Sequence, residues 1–172
     1  MPEPLRFALI SRGDPVGGRL WLGAGLARPL VLVTPPLGSA TDAPAVAALC
    51  AALAAAGLAA AALDLPLQGE RASRKLSARL AASASHERST ADQRLWDAFL
   101  RQAALDLAAA VRELGTRREV DARRLGCVAF EPGAEAALAW AEREPRARAV
   151  RRVAGNVATA ELVAFVRERL GA

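Results

Sequence analysis

The stretch Arg123–Trp140, RRLGCVAFEPGAEAALAW, decides the fold prediction because a strand pattern passes directly into a helix pattern. The short apolar run Leu125–Phe130 predicts a buried strand. The alanine-rich run Gly133–Arg143 predicts a helix, since alanine is the strongest helix former. Glu131 and Pro132 stand at the sharp turn between them. A buried strand that leads at once into a helix is the repeating unit of α/β proteins.

The rest of the chain repeats this alternation. Further strands are predicted at Leu5–Ser11, Val16–Leu22, Leu30–Val33, Leu58–Asp64 and Ala147–Ala154. Further helices are predicted at Pro44–Ala56, Arg74–Ala82, Ala91–Leu114 and residues 159–170, with Asp42 capping the first, Ser89 or Thr90 capping the third and Gly115 ending it. The order predicts a three-layer α/β fold: a mostly parallel six-stranded sheet with helices on both faces and an antiparallel N-terminal hairpin.

Length and composition indicate a folded domain without a metal or cofactor. The chain has 172 residues, of which 53% are hydrophobic, which suits one domain with a sizeable core. No stretch has the layout of a signal peptide or a membrane span, so a cytoplasmic protein is expected. One histidine and two cysteines are too few for an evident metal site. Cys50 and Cys127 lie in apolar runs and are predicted to be buried.

The charge balance does not indicate a nucleic-acid partner. The formal net charge is +5 and the sequence pI is about 10.8. Arginine supplies all of the basic residues except Lys75, and alanine is abundant, a bias typical of a GC-rich bacterial-type genome. The arginines are interspersed with acidic residues, and no aromatic residues lie among them to stack on bases. The pattern therefore does not favour nucleic-acid binding.

Four segments, in order, resemble the α/β-hydrolase family, especially its dienelactone-hydrolase-like and small esterase members. They are SRGDPVGGRLWL, RPLVLVTPPLGSA, GLAAAALDLPLQGER and VDARRLGCVAFEPGAEAALAWA. The resemblance implies, in that order, an N-terminal hairpin, a strand with the oxyanion loop, a strand with its active-site loop, and the nucleophile strand, elbow and helix. It also implies a hydrolase active site at the elbow.

The elbow departs from the family pattern. The family's Gly-x-Ser-x-Gly corresponds here to Ala129, Phe130, Glu131, Pro132 and Gly133. Glu131 therefore stands where the nucleophilic serine would be. A carboxylate can act as a nucleophile, so the substitution alone does not decide the chemistry.

Pro132 argues against activity for two reasons. The residue after the nucleophile normally donates its backbone N–H to the oxyanion, and proline has none. Proline also favours an extended conformation in the residue before it. We therefore expect a relaxed turn, with Pro132 in the first helical turn and Glu131 close to the positive end of that helix.

The other site residues are weaker candidates. His86 lies in the long connection after the fourth strand, which is the wrong place for the family's catalytic histidine, so we expect it to be an exposed loop residue. Asp64 is expected to cap a turn, and Arg71 to pair with Glu70, Glu131 or Asp64. A remnant cleft is predicted from Pro36, Leu37, Asp64, Arg71 and Pro132.

The resemblance implies further strands after the sixth, carrying the catalytic acid and histidine. Residues 1–172 are predicted to form a single domain that lacks them, which leaves Ala147–Ala154 at the edge of the sheet. Arg148, Arg151 and Arg152 would guard this edge in a monomer. The interpretation favoured here is that the edge or the last helix packs against a second copy or an active relative. A third interpretation is that the chain is a fragment of a longer gene.

Two functions follow from these patterns. The first is a catalytically degenerate hydrolase-fold protein without serine hydrolase activity, acting as a binding or partner subunit or holding a small ligand. The second is a hydrolase of small esters in which Glu131 acts as nucleophile or base, with His86 as its partner. The second predicts that Glu131 and His86 come within hydrogen-bond reach at a pocket.

Overall fold

The computed structural model describes residues 3–84, 88–155 and 157–172. The strands are β1 Leu5–Ser11, β2 Asp14–Leu22, β3 Arg28–Thr34, β4 Ala59–Leu63, β5 Val120–Phe130 and β6 Ala147–Val153. The helices are α1 Pro44–Ala55, α2 Arg74–Ser83, α3 Thr90–Leu114, α4 Glu135–Ala141 and α5 Thr159–Leu170, with a 3₁₀ turn at Gly69–Arg71.

The strands form one six-stranded sheet in the order β1-β2-β4-β3-β5-β6. β1 and β2 form an antiparallel hairpin, and β2 pairs antiparallel with β4. β3 pairs parallel with both β4 and β5, and β5 pairs parallel with β6. β3 and β4 are buried along their whole length, as expected for strands covered on both faces. The predicted fold class is confirmed.

Helices cover both faces of the sheet. On one face α1 and α5 bury Leu49, Leu53 and Val166 against it. On the other face α3 and α4 bury Leu107 and Trp140. A third apolar cluster joins α2, α3 and α4 beyond the carboxyl ends of the strands. These carboxyl ends are the edge at which α/β folds bind their ligands.

Two helix starts differ from their predictions. Asp42 does not cap α1: Ala43 holds the cap position without a side-chain hydrogen bond, and Asp42 pairs with Arg19 instead. α4 begins at Glu135, not at Gly133, because Gly133 has a φ of +115°, which no right-handed helix contains. The predictions for α3 are confirmed, since the side chain of Ser89 accepts a hydrogen bond from the N–H of Asp92 and Gly115 ends the helix.

The two cysteines are both buried and free. Burial raises the pKa of the Cys50 thiol, and it raises that of Cys127 to about 12. Both therefore behave as small apolar side chains. Among the residues that the structure describes, no helix has the length and apolar character needed to cross a bilayer.

Asp121, at the start of β5, makes the stability of the fold depend on pH in the acidic range. Burial opposes its ionisation, but hydrogen bonds from Arg123 and Arg124 outweigh this and hold its pKa at about 2. An unfolded aspartate has a pKa of about 3.9, so ionised Asp121 stabilises the fold at neutral pH. That contribution is lost as pH falls from about 4 to about 2.

We expect Asp121→Asn to lower the free energy of unfolding by about 1–2 kcal/mol at pH 7. The difference from the parent protein should shrink toward zero as the pH falls below about 2, because Asp121 then becomes protonated in both states. Urea unfolding at several pH values measures it. Asp14→Asn is the control, since Asp14 is exposed and has no ionic partner among the described residues. A difference that persists unchanged at low pH would contradict the linkage.

Candidate functional site

The backbone of the turn after β5 is held from both sides at the carboxyl edge of the sheet. The N–H of Glu131 donates to the carbonyl of Val153 at 2.9 Å, at the end of β6. The carbonyl of Pro132 accepts from the N–H of Leu37 at 2.9 Å, from the loop after β3. Because α4 begins three residues beyond Pro132, the predicted place of Pro132 in the first helical turn is wrong.

The Glu131 carboxylate forms an ion pair with Arg152. Its Oε1 accepts a hydrogen bond from the Arg152 Nε at 2.7 Å and a second one from Nη2. The Glu131 side chain is 23% exposed and that of Arg152 is 55% exposed. A nucleophile or base needs its lone pairs directed at a substrate, whereas those of Oε1 are directed at a guanidinium.

Leu37 packs against the turn at Gly133. A Cβ on Gly133 would lie 3.1 Å from the Leu37 Cγ, so the two residues are in close contact. Leu37 also packs against the third apolar cluster, which includes Leu65 from the loop after β4 and Trp96 from α3. The turn therefore packs against apolar side chains at Gly133, while Pro132 is exposed.

Asp64 follows β4 and is 5% exposed. Its Oδ1 accepts from the N–H of Thr41 at 3.2 Å, and its Oδ2 accepts from the N–H of Glu70 at 3.4 Å. Burial raises the pKa of Asp64, these two hydrogen bonds lower it in part, and the charges of Glu70 and Asp42 add to the rise. Asp64 thus ties the loop after β3 to the loop after β4, in keeping with the turn-capping role expected from the sequence.

A cavity of about 660 Å³ opens beside Asp64, between these loops and the β1–β2 hairpin. Its polar wall is formed by Arg19, Asp42 and Glu70 as well as Asp64. Glu131 does not line it.

Arg71 has a different partner from those predicted. Its Nη1 lies 2.5 Å from the Oδ2 of Asp106 on α3 and also donates to the backbone carbonyl of Asp64 at 3.2 Å. The Asp106 side chain is fully buried, and Gln102 donates to its other oxygen at 2.8 Å. The predicted pairing of Arg71 with the carboxylate of Glu70, Glu131 or Asp64 is therefore wrong.

The five residues predicted to line a remnant cleft do not share one cavity. Leu37 and Pro132 meet at the elbow, while Asp64 lines the 660 Å³ cavity and none of the other four does. Arg71 holds the loop from the side of α3. The predicted exposure of His86 and its predicted proximity to Glu131 lie outside the described residues.

Two buried polar side chains at this edge were not singled out by sequence reasoning. Thr34 ends β3 and Gln68 lies in the loop after β4; they are 0% and 2% exposed. The Thr34 hydroxyl and both amide atoms of Gln68 have no hydrogen-bond partner within the described ranges. In the sequence, Gln68 could have been found as a buried polar residue because it lies in the mostly apolar run LDLPLQG. Within the same ranges no group of three or more histidine, cysteine or acidic residues is arranged to hold a metal ion.

Comparison with known proteins identifies the architecture. No family model matches the sequence, and no curated protein matches it. Solved structures do match. A cold-adapted esterase from an Arctic intertidal metagenomic library has a TM-score of 0.65 and 20% identity over 86% of this chain and 58% of its own. An α/β-hydrolase from a Penicillium species has a TM-score of 0.67 and 16% identity over 90% of this chain and 46% of its own.

The chain has the α/β-hydrolase fold. A hypothetical protein from Pseudomonas aeruginosa agrees, with a TM-score of 0.65 and 18% identity over 87% of this chain and 42% of its own. The chain thus spans only about half the length of these solved hydrolase-fold proteins. At such identities the likeness establishes the fold alone, and the chemistry has to be argued from the residues at the elbow.

Proposed function

We propose that this chain is a catalytically degenerate α/β-hydrolase-fold protein that acts as a binding or partner subunit without serine hydrolase activity. In this proposal residues 1–172 form one domain, and the protein works in the cytoplasm. The observation that carries it is the elbow, where a carboxylate paired with Arg152 takes the place of the serine.

The oxyanion site supports the same proposal. In hydrolases of this fold, one oxyanion donor is the N–H of the residue after the nucleophile, and the other is an N–H from the loop after β3. Pro132 has no N–H to supply the first. In the loop, Pro35 and Pro36 lack N–H groups, and the N–H of Leu37 already donates to the Pro132 carbonyl. Losing one such donor costs about 3 kcal/mol of transition-state stabilisation, a factor of about 10² or more in rate.

A second function is a hydrolase of small esters that uses Glu131. The esterase among the similar structures favours it. It requires Glu131 to leave Arg152, beside a turn against which Leu37 packs. The cost of parting a half-exposed ion pair is only about 1 kcal/mol, so the missing oxyanion donor at Pro132 is the greater obstacle.

Assays with p-nitrophenyl acetate and butyrate distinguish the two functions. We expect no saturable turnover, against the roughly 1–10³ s⁻¹ of ordinary enzymes, and the same background rate for Glu131→Gln. We also expect Glu131→Ser to stay inactive, because a serine before Pro132 still lacks the oxyanion donor. Saturable turnover that Glu131→Gln abolishes would establish the second function and overturn the first.

The partner role is supported by the free edge of β6, the last strand in the sheet order. Unpaired strand edges are places where another chain can add. Arg151 and Arg152, which would otherwise guard the edge, are paired with Glu161 and Glu131. We propose a homodimer or a complex with an active relative through β6 or α5. Light scattering measures the mass in solution, and a purified protein of 17.9 kDa at all concentrations would argue against the homodimer.

A further inference from the structure

A second cavity, of about 570 Å³, lies on the α3 side of the sheet, away from the elbow. Its apolar wall comes from Ala98, Leu105 and Ala108 on α3 and from the ring of Trp140 on α4. Leu105 is 40% exposed. The volume falls in the range of small-molecule sites, which are concave and mostly apolar with a few polar groups.

The charged groups at this cavity are mainly cationic. Arg12 from the β1–β2 turn, Arg101 from α3 and Arg143 after α4 all line it. The guanidinium group of none of the three has a hydrogen bond or ion pair in the part of the chain that the structure describes. The acidic group in the wall, Glu144, is already engaged by two hydrogen bonds of 2.7 Å from Arg146. The cavity therefore keeps an excess of positive charge.

Trp140 adds a polar group to the apolar wall. It is 2% exposed, and its indole N–H has no acceptor among the described residues. Leaving a buried donor without a partner is unfavourable, and an oxygen acceptor close to the cavity wall would remove this deficit. The guanidinium groups and the indole are all hydrogen-bond donors, and the oxygen atoms of an organic anion are acceptors that suit each of them.

We propose that this cavity binds a small amphipathic organic anion, with a carboxylate or phosphate head at the arginines and an alkyl or aryl body against the α3 wall. Guanidinium groups suit both heads, because their planar N–H groups match pairs of oxygens. The apolar wall discriminates against inorganic anions, and the excess positive charge discriminates against amines. The site does not depend on the state of the elbow, so it stands whether or not Glu131 is catalytic.

Calorimetric titration with octanoate and octyl phosphate tests this site directly. Octylamine, octanol and inorganic phosphate are the comparison probes. We expect saturable binding of at least one of the two amphipathic anions, about tenfold or more tighter than any comparison probe. Their relative affinity then tells which head the site takes.

The arginines provide matched variants. We expect Arg101→Gln and Arg143→Gln each to weaken octanoate or octyl phosphate binding about three- to tenfold, as for the loss of one partly exposed charge contact. Arg112→Gln is the control, because Arg112 is an exposed arginine of the same helix that does not line the cavity. Circular dichroism checks that each variant is folded.

Three results would overturn the proposal. The first is the absence of saturable binding by both anions. The second is that octylamine binds as tightly as octanoate, or that inorganic phosphate binds as tightly as octyl phosphate. The third is an equal loss of affinity in Arg112→Gln and Arg101→Gln, which would show general attraction to a basic protein (net charge +5) and no specific site.

Discussion

Arg71→Ala should lower the free energy of unfolding by about 3–5 kcal/mol, the range found when one partner of a buried ion pair is removed. Asp106 is fully buried, and Arg71 at 2.5 Å is its charged partner. Without the guanidinium, the carboxylate keeps the hydrogen bond from Gln102 at 2.8 Å as its one side-chain partner in the described ranges. The loop after β4 also loses the hydrogen bond from Arg71 to the Asp64 carbonyl.

Arg79→Ala is the matched control for this prediction. Arg79 also pairs with an aspartate at 2.5 Å, Asp92, but the two side chains are 43% and 26% exposed. We expect a loss of only about 0–1 kcal/mol there. Urea unfolding of both variants gives the comparison. If the double variant Arg71→Met, Asp106→Leu recovers most of the stability lost in Arg71→Ala, the loss comes from the isolated buried charge of Asp106. Equal losses for Arg71→Ala and Arg79→Ala would contradict the prediction.

Gly69→Ala should lower the free energy of unfolding by about 2–4 kcal/mol, from overpacking and backbone strain together. Gly69 has a φ of +52°, and a Cβ there would overlap the carboxylate of Asp64. Asp64 would have to turn away from the N–H groups of Thr41 and Glu70, which now hold two loops of the 660 Å³ cavity together. The substitution therefore acts on both the stability and the shape of the carboxyl edge.

Gly38→Ala separates strain from overlap. Gly38 also has a positive φ, +81°, but a Cβ there would meet nothing within 4 Å. We expect it to cost only the strain of a left-handed alanine, about 1–2 kcal/mol. Thermal and urea unfolding measure both variants. A loss of stability in Gly69→Ala no larger than in Gly38→Ala would mean that the Asp64 side chain moves away from the added Cβ at no measurable cost.

Most of the fold was predictable because it depends on local patterns. The wholly apolar runs Leu30–Val33 and Leu58–Leu63 are typical of strands covered on both faces, which means a parallel sheet between helix layers. The positions of α1, α3 and α5 followed from helical spacing and stop residues. α4 was placed too early, because nothing local in the sequence shows that Gly133 adopts a φ of +115° under Leu37.

The site was predictable in its position but not in its contacts. The elbow pattern singled out Glu131 and Pro132. Arg152 lies 21 residues beyond Glu131, and Asp106 lies 35 residues beyond Arg71. These pairs form only because β6 lies beside β5 and because α3 packs over the loop after β4. From the sequence alone, many arginines and carboxylates could form these ion pairs, because the distances between their side chains are set by the sheet order.

The sequence by itself determined the layers, the sheet type and the replacement of a serine by Glu131 with a proline after it. These features reside in residue identity and in periodicity, which act over a few residues. Only the tertiary structure decided that Arg152 pairs with Glu131 and that Leu37 packs against Gly133. It also brought together, around a cavity on α3, three arginines whose guanidinium groups have no partner among the described residues. Such contacts depend on the distances between elements far apart in the chain, which packing alone sets.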